Sequence, residues 1–458
     1  MSTSRRADRL AGGGVWRVET LVVGAGQAGL AISRCLTAFG ADHVVVERGR
    51  VAQRWRTARW DSLHLISPNW MTRLPAWSYS GPDPDGFMSA AELAGHLRDY
   101  AASFAAPVHE HTTVERVERY GEGFRVVTDQ RTWLARNVVV ASGAENRDYL
   151  PPAAGQLHPG VCQLPASRYR NPAQIPDGGV LVVGASASGV QIADELRAAG
   201  RQVVLSVGRH SWVPRRYRGR DTFWWMDRAG IFGRTIDQMP DARAARRAPS
   251  LQLSGRGRQV SLEALAAAGV LLAGRLAAAA DGYSLGFVPD LAATSGAARA
   301  RLEQTLRTID GCVGRVGADG GAGADPGVPP GPPALFRTHG GPAGLNLRTA
   351  GIGTVIWATG YRPYYPWLRV PVLDADGQIA HRRGVTDVPG LYVLGLRFLY
   401  RRDSNFIDGV GRDAQFLAAR ITARTTARDL DADYEQTALR RDRPCGPPRA
   451  RHLACASP

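Results

Sequence analysis

The chain has 458 residues, a formal net charge of +16 and 57 basic residues, all of which are arginine. This length exceeds one ordinary core and predicts two or three domains. The arginines are spread along the sequence, which argues against a nucleic-acid partner, and no run of about 18 apolar residues indicates a membrane span. The five cysteines form no C-x-x-C pair, so we expect no metal site, no redox dithiol and a cytoplasmic location.

Three folded segments are predicted between stretches of biased composition. Polar or Gly/Pro-rich composition marks both ends of the chain and one internal loop as flexible. In chain order we predict a flexible tail over 1–16, a first α/β segment over 17–150, a second over 151–345 with a flexible Gly/Pro loop over 311–335, a third over 346–427, and a disordered tail over 428–458.

The first nucleotide-binding fingerprint follows an apolar run at residues 20–23. The sequence GAGQAG at 24–29 comes next, then a predicted helix, and then a second strand that ends at Glu47. This order is typical of FAD sites, because the loop and the helix N-terminus accept a pyrophosphate and the acid accepts ribose hydroxyls. The residues that we expect to bind FAD here are Gly24, Gly26, Gln27, Ala28, Gly29, Glu47 and Arg48.

A second fingerprint follows the apolar run at residues 180–183. The sequence GASASG at 184–189 comes next, and the following strand at 203–207 ends in Gly-Arg-His rather than in an acid. An acid would repel the 2′-phosphate of NADPH and an arginine can pair with it, so the pattern favours NADPH over NADH. The residues that we expect to bind NADPH are Gly184, Ser186, Ala187, Ser188, Gly189 and Arg209, with Arg215 and Arg216 as helpers.

Two strand-and-glycine hinges accompany the fingerprints, VVVASG at 138–143 and VIWATGY at 355–361. Together with LYVLG at 391–395 and FIDGVG at 406–411, they give a pattern that resembles the class B flavin monooxygenases. That superfamily includes flavin-containing, Baeyer–Villiger and N-hydroxylating monooxygenases, and the sequence is most similar to its bacterial CzcO-like FAD/NAD(P)-dependent oxidoreductases. The resemblance covers about residues 18–425.

The resemblance implies an α/β fold with two Rossmann-like dinucleotide-binding domains, in which residues 17–150 and 346–427 form a discontinuous FAD domain and residues 151–345 form an inserted NADPH domain. It implies FAD and NADPH as cofactors, and oxygenation of a small organic substrate by O2 through a flavin C4a-(hydro)peroxide. It adds Arg54, Trp55, Ser142, Gly143 and Asp408 to the expected FAD site, and Thr359 and Gly360 to the NADPH site and domain interface.

One position departs from the family pattern. The family signature F-x-G-x-x-x-H-x-x-x-Y precedes the second fingerprint, and this sequence has Pro165 where the histidine is expected. The family histidine is thought to help couple NADPH oxidation to oxygenation. Its replacement leaves open an FAD/NADPH enzyme without oxygen insertion, such as a dehydrogenase, an oxidase or a catalyst of oxidative coupling. A non-catalytic redox partner of ion transport is a third alternative.

Candidate catalytic and substrate residues lie in clusters beside the fingerprints. No catalytic triad, metal cluster or carboxylate pair is apparent, as expected where a cofactor carries the chemistry. The aromatic clusters favour a flat, aromatic or heterocyclic substrate of secondary metabolism, and a homodimer stays open. The catalytic candidates are Asn69, Trp70 and Tyr169, and the substrate candidates are Trp70, Met71, Phe223, Trp224, Tyr364, Tyr365 and Asn405.

Overall fold

The computed structural model describes residues 14–253, 255, 260–316 and 341–441, with only the backbone described for 313–316 and 426–441. The strands, in chain order, are β1 Val15–Val23, β2 His43–Val46, β3 Arg73–Leu74, β4 Trp77–Ser78, β5 Val108–His109, β6 Val114–Tyr120, β7 Gly123–Thr128, β8 Thr132–Val140, β9 Arg147–Asp148, β10 Cys162–Pro165, β11 Gly179–Val183, β12 Val203–Ser206, β13 Ser211–Trp212, β14 Arg216–Tyr217, β15 Arg220–Asp221, β16 Leu251–Gln252, β17 Leu271–Ala273, β18 Leu276–Ala280, β19 Ser284–Phe287, β20 Gly344–Asn346, β21 Ile352–Trp357, β22 Tyr361–Arg362 and β23 Leu391–Val393. The α-helices are α1 Gln27–Ala38, α2 Gln53–Thr57, α3 Ala90–Ser103, α4 Ala187–Ala198, α5 Thr222–Arg228, α6 Ala242–Arg246, α7 Leu262–Ala267, α8 Leu291–Val316 and α9 Val410–Arg441.

The first sheet has seven strands and places β1 near its centre. Its parallel part has the order β5-β2-β1-β8-β23, and β7 and β6 extend β8 in antiparallel fashion. Successive residues of β1 pack into different cores, Val22 against α1 and α9, and Leu21 and Val23 on the opposite face. Because side chains alternate across a strand, a run that is buried on both faces is continuously apolar.

The second sheet has five parallel strands in the order β10-β21-β11-β12-β17. Helix α4 follows β11 and packs on the sheet, as α1 does after β1 in the first sheet. The predicted fold class is therefore confirmed: the chain is an α/β protein with two Rossmann-like units, and its first sheet receives β23 after the second sheet is complete.

One predicted segment boundary is wrong. We placed residues 346–427 with the FAD unit, but β21 lies between β10 and β11 in the second sheet. An apolar strand can complete either of two parallel sheets, and its own sequence does not indicate which. The second unit therefore extends to the end of β21.

A short antiparallel ribbon joins the two units. It consists of β9 and β22, with Tyr361 opposite Asp148. The amide of Tyr149 donates to the carbonyl of Gly360 at 2.9 Å, and the hydroxyl of Thr359 donates to the carbonyl of Tyr149. Thr359 and Gly360 thus lie where the chain crosses between the units.

Three segments predicted as flexible contain regular structure at their edges. Strand β1 begins at Val15, inside the predicted 1–16 tail, because residues from Val15 pair with β8. Helix α8 runs through residues 311–316 of the predicted 311–335 loop, since apolar side chains continue at helical spacing. Helix α9 extends to Arg441, inside the predicted 428–458 tail. The remaining residues of these segments lie outside the described part of the chain.

Candidate functional site

The first glycine loop joins β1 to α1, and each glycine in it has a different environment. A side chain at Gly24 would lie 2.8 Å from the carbonyl oxygen of Ala141, and the φ of Gly24 is +106°. A side chain at Gly29 would collide with the carbonyl oxygen of Gly24. At Gly26, by contrast, no heavy atom lies within 4 Å of an added Cβ. The open side of the loop is therefore at Gly26, where a bound pyrophosphate needs close backbone approach.

The acid at the end of β2 is connected to this loop. The Glu47 carboxylate accepts a hydrogen bond from the amide of Ala25 at 2.8 Å and another from the amide of Gly49 at 3.1 Å. The carboxylate is therefore held at the C-terminal edge of the sheet beside the loop. Arg48, the next residue, is exposed.

Helices α1 and α4 begin without a side-chain cap. The N-cap positions of these helices are Gly26 and Ser186, and neither provides a capping hydrogen bond. Helices α3, α5, α6 and α7 do begin with one, from Ser89, Asp221, Asp241 and Ser261. The first amides of a helix need an acceptor from outside it, so the uncapped ends of α1 and α4 fit phosphate groups.

The second glycine loop repeats the geometry of the first. Gly184 has a φ of +107°, and a side chain there would collide with the carbonyl oxygen of Ala358. A side chain at Gly189 would collide with the carbonyl oxygen of Gly184, as at Gly29. Ser186, Ala187 and Ser188 remain partly accessible at the start of α4. The loop lies at the C-terminal edge of the second sheet.

Arg209, the first of the three arginines proposed for a 2′-phosphate, lies at an accessible position. Arg209 is exposed just beyond β12, and Arg301 of α8 lies beside it, where it donates to the carbonyl of His210 at 2.6 Å. Burial first, and the charge of Arg209 second, lower the pKa of Arg301. The sequence did not single out Arg301, which is 92 residues further along the chain and has no motif around it.

Arg215 does not agree with a role at the 2′-phosphate. Only 4% of its side chain is exposed, and its guanidinium pairs with Asp221 at 2.5 Å. It also donates to the carbonyl of Ile66 at 2.8 Å and lies 5.0 Å from the centre of the Phe87 ring. Arg215 is a buried structural cation, because the carbonyl of Ile66 and the carboxylate of Asp221, at the end of β15, both accept its hydrogen bonds. The other predicted helper of Arg209, Arg216, is exposed and donates to the carbonyl of Gly219 at 2.6 Å.

The hinge after β8 carries an unsatisfied polar atom beside the first loop. The hydroxyl of Ser142 is buried and has no hydrogen-bond partner among the described residues. The Cα of Ser142 would lie 3.2 Å from a side chain at Gly24. Gly143, the next residue, has a φ of +81° with open space around it. A buried hydroxyl that lacks a partner fits a site where a bound group supplies one.

A charged cluster extends from this hinge. Arg59 donates to the Glu145 carboxylate at 2.9 Å, and Arg54 lies 3.8 Å from the same oxygen. Partial desolvation would raise the pKa of Glu145, but the attraction of Arg59, Arg54 and Arg397 holds it below its ordinary value. The Arg54 guanidinium lies 5.4 Å from the ring centre of Tyr361, so the cluster also touches the ribbon between the units.

Several predicted FAD residues lie together at the start of α1. The Trp55 indole N–H donates to the Gln27 side chain at 3.5 Å, and the Gln27 amide donates to the carbonyl of Asn405 at 3.5 Å. Asp408 is near them in sequence, but both oxygens of its carboxylate are occupied by the Arg73 guanidinium. Asp408 therefore forms an ion pair, and its carboxylate oxygens are already engaged as hydrogen-bond acceptors.

Two of the three catalytic candidates are structural. Tyr169 is fully buried and its hydroxyl donates to Glu195 at 2.8 Å. The Asn69 amide donates to the carbonyl of Asp83 and accepts from the amide of Met88, each at 2.8 Å, so it fixes a loop. Both side chains are therefore occupied by structural hydrogen bonds, and a catalytic role for either one stays a prediction from the sequence.

Three of the substrate candidates belong to hydrophobic cores. Met71 and Phe223 share one cluster and Tyr365 belongs to another, with exposed fractions of 2%, 2% and 4%. Trp224 is covered by the guanidinium groups of Arg220 and Arg228, at 5.4 Å each. Met71, Phe223 and Tyr365 are therefore not available to a substrate, because their side chains are buried in hydrophobic cores, whereas Trp224 is only partly buried.

The other substrate candidates are accessible, in different places. Tyr364 is 49% exposed and lies near the ribbon, with the Arg147 guanidinium 5.2 Å from its ring centre. Trp70 and Asn405 are partly buried, and Trp70 lies under the Arg73 guanidinium at 5.6 Å. Of the predicted substrate residues, Asn405 contacts the first glycine loop, because its carbonyl accepts a hydrogen bond from Gln27.

Two negative observations apply to the described residues. No group of three or more His, Cys, Asp or Glu side chains among them could hold a metal ion. Within the same residues, no helix combines the length and apolar character that a membrane crossing requires.

Comparisons with known proteins agree with this geometry. Residues 21–220 match the family model of pyridine nucleotide-disulphide oxidoreductases. A CzcO-like oxidoreductase from Geobacillus kaustophilus is 34% identical over 403 residues, which cover 87% of this chain and 97% of that protein. A probable indole-3-pyruvate monooxygenase from Arabidopsis thaliana, YUCCA1, is 30% identical over 210 residues, 44% of this chain and 50% of that protein.

The fold is also shared with a solved structure. A flavin-containing monooxygenase from Stenotrophomonas maltophilia superposes with a TM-score of 0.59 and 22% identity, over 89% of this chain and 99% of that chain. The predicted resemblance is confirmed, and the predicted cofactors, FAD and NADPH, fit it. The chain belongs to the CzcO-like family of oxidoreductases.

Proposed function

We propose that this protein is an FAD- and NADPH-dependent monooxygenase that acts on a small, flat organic substrate. The observation that carries the proposal is the contrast between the two glycine loops. Glu47 stands beside the first loop, at the end of β2, and Arg209 stands beyond the corresponding strand of the second unit. An acid suits unmodified ribose hydroxyls and an arginine suits a 2′-phosphate, so the loops are suited to different dinucleotides.

The first loop would hold FAD. The amides at the uncapped start of α1 would bind the pyrophosphate, and Gly26 leaves room for it. Glu47 would accept hydrogen bonds from the ribose hydroxyls. The Ser142 hydroxyl, which has no partner among the described residues, would contact the flavin end of FAD. Gln27, Trp55 and the carbonyl of Asn405 form one wall of that end.

The second loop would hold NADPH. The start of α4, with Ser186 and Ser188, would bind its pyrophosphate. Arg209 would pair with the 2′-phosphate, and Arg301 would add positive charge beside it. The ribbon at Thr359 and Gly360 lies between the loops, where the nicotinamide would approach the flavin.

Flavin, when bound, supplies electron transfer from NADPH and the activation of O2. The chain's own residues orient the two dinucleotides and limit the access of water. Glu145, which Arg59 and Arg54 hold in its ionised form, keeps these two guanidinium groups in place next to the hinge at Ser142. Trp70 provides an aromatic surface for the substrate near Asn405. A cytoplasmic location and a homodimer remain predictions from the sequence.

An FAD/NADPH oxidoreductase without oxygen insertion is the second candidate. The observation in its favour is Pro165, which ends β10 at the edge of the second sheet and occupies the expected place of the signature histidine. Pro165 has neither a titratable group nor an amide proton, so it cannot perform a role in proton transfer.

The discriminating experiment follows the fate of O2 with the purified, flavin-loaded protein. We expect NADPH to reduce the bound flavin and a turned-over substrate to gain one 18O atom under 18O2. Unlabelled product with stoichiometric H2O2 would instead support the second candidate. A protein that takes up no flavin would contradict both.

A further inference from the structure

Residues 394–409, the crossing segment, link the first glycine loop to the second unit. On one side, a side chain at Gly395 would press on Ala28 of α1, and the carbonyl of Asn405 accepts from Gln27. On the other side, the amide of Arg402 donates to the carbonyl of Arg234 at 3.0 Å. The crossing segment therefore lies along the seam where we propose that substrate meets flavin.

The acidic side chains of this region are already paired. Asp403 binds Arg401 at 3.2 Å and lies 3.8 Å from Arg412. Asp408 forms an ion pair with Arg73, and Glu145 forms ion pairs with Arg59 and Arg54. Asp413 of α9 is the exception, since both oxygens of its buried carboxyl group lack a hydrogen-bond partner among the described residues, but burial raises its pKa, and the nearby positive charges are those of Arg401 and Arg383 rather than that of Arg402.

Arg402 lacks such a partner. Its guanidinium makes no hydrogen bond or ion pair to any described residue, although the side chain is partly buried. Burial lowers the pKa of Arg402 first, and the positive charges of Arg234 and Arg397 lower it further. Arg397 is itself fixed, since it donates to the carbonyl of Ala248 at 2.8 Å and to the Ser250 hydroxyl at 2.6 Å.

A partly buried cation without an opposite charge is costly to hold, and Arg402 is such a cation, next to the positive charges of Arg397 and Arg234. We propose that Arg402, assisted by Arg397 and Arg234, binds the carboxylate of an anionic, aromatic substrate. This inference rests on the proposed function and adds the chemical class of its substrate. Phe406, whose ring centre lies 5.6 Å from that of Phe232, provides an apolar surface in the same segment.

A cofactor phosphate is the other anion that could meet these arginines. The proposed phosphate sites have their own ligands, however, in the uncapped ends of α1 and α4 and in Arg209. The experiment must therefore separate the loss of a carboxylate ligand from the loss of NADPH. It must also not depend on turnover.

The test is calorimetric titration of the flavin-loaded protein, without NADPH, using matched acids and amides: benzoate and benzamide, phenylacetate and phenylacetamide, and 2-naphthoate and 2-naphthamide. We expect at least one acid to bind ten-fold or more tightly than its amide. Arg402→Gln should abolish that preference, and Arg402→Lys should keep part of it. Arg412→Gln is the matched control, since it removes one positive charge from the same region and should keep the preference.

NADPH affinity, measured on the same variants, shows whether Arg402 binds a substrate carboxylate or a cofactor phosphate. An unchanged NADPH Kd in Arg402→Gln supports the proposal, whereas a weakened NADPH affinity with an intact acid preference overturns it. The absence of any acid preference in the wild-type protein also overturns it. Arg402→Gln should melt no lower than the wild type, because it removes an unpaired charge. An acid preference without 18O in any product would contradict the monooxygenase proposal and leave this one standing.

Discussion

The carboxylate of Glu47 accepts a hydrogen bond from the amide of Ala25 at 2.8 Å, across 22 residues of sequence. The bond ties the end of β2 to the loop that follows β1, so the acid and the loop form one rigid unit. Asp42 makes a similar bond at the opposite end of β2, to the amide of Glu19 at 3.1 Å. The pair provides a direct test of the FAD site.

We expect Glu47→Gln to weaken FAD binding by about ten-fold or more, because hydrogen bonds to a charged acceptor contribute about 1.5–3 kcal/mol. Asp42→Asn removes the same type of bond away from the loop and should leave FAD affinity within about three-fold of wild type. The measurement is fluorescence titration of the cofactor-free proteins with FAD. Equal losses in both variants would show that Glu47 acts only through the fold.

The glycines of the first loop should separate binding from folding. In Gly26→Ala the added methyl meets no protein atom, so the cofactor-free protein should melt as wild type does and yet bind FAD at least about ten-fold more weakly. In Gly29→Ala the methyl collides with the carbonyl of Gly24, and we expect a loss of about 2–3 kcal/mol or more in unfolding free energy. Melting curves with and without FAD distinguish the two outcomes, and a Gly26→Ala protein that binds FAD normally would exclude this loop as the pyrophosphate site.

Arg209→Gln should alter the preference between the two nicotinamide cofactors. Loss of a charge-assisted pair with the 2′-phosphate should lower kcat/KM for NADPH by about 10–100-fold and leave NADH nearly unaffected. The exposed Arg243 is the control, since Arg243→Gln removes equal charge at a residue that pairs with Asp376 and is assigned to no cofactor site. Stopped-flow reduction of the flavin by each cofactor measures the effect. A parallel decrease for NADPH and NADH would argue that Arg209 does not read the phosphate.

Arg215→Leu should destabilise the protein without changing cofactor preference. Asp221 would lose its partner in a buried site, which costs about 3–5 kcal/mol in comparable cases. Breaking the exposed pair of Arg243 and Asp376 by Arg243→Gln should cost less than about 1 kcal/mol. Urea unfolding gives both values. If Arg215→Leu changed the NADPH-to-NADH ratio instead, Arg215 would take part in binding the 2′-phosphate.

Stability should fall with acidity in part through His381, which is partly buried. Burial, and secondarily Arg246, lower the pKa of His381 from 6.5 to about 4. The unfolded chain takes up this proton below about pH 6.5 and the folded chain only near pH 4, so stability is lost as the pH falls through that window, by at most about 1.4 kcal/mol per unit.

His381→Gln should flatten this dependence, and the exposed His158→Gln should not. Urea unfolding at pH 7, 5.5 and 4.5 provides the comparison. Superimposable slopes for wild type and His381→Gln would mean that the ring is already protonated in the folded state.

The sequence predicts the two glycine loops and Glu47 because each has a local signature, a strand, a turn that needs small residues and a helix. The position of β21 is not predictable in this way, since an apolar strand fits either parallel sheet. Arg215 and Arg402 show the same limit for charge. Both are arginines in basic surroundings, and only the fold shows that one has a buried acid beside it and the other has none.

The ribbon of β9 and β22 brings the two ends of the second unit together. Partners in such a ribbon have Cα atoms about 5 Å apart, so Asp148 and Tyr361 lie close enough for a linker of a few residues to join them. The second unit can therefore be excised as one piece, or its own ends fused and new termini opened elsewhere, with little loop-closure cost to the first. Each half of this two-cofactor protein should then be obtainable as a separate, circularly permuted or deletion-derived domain.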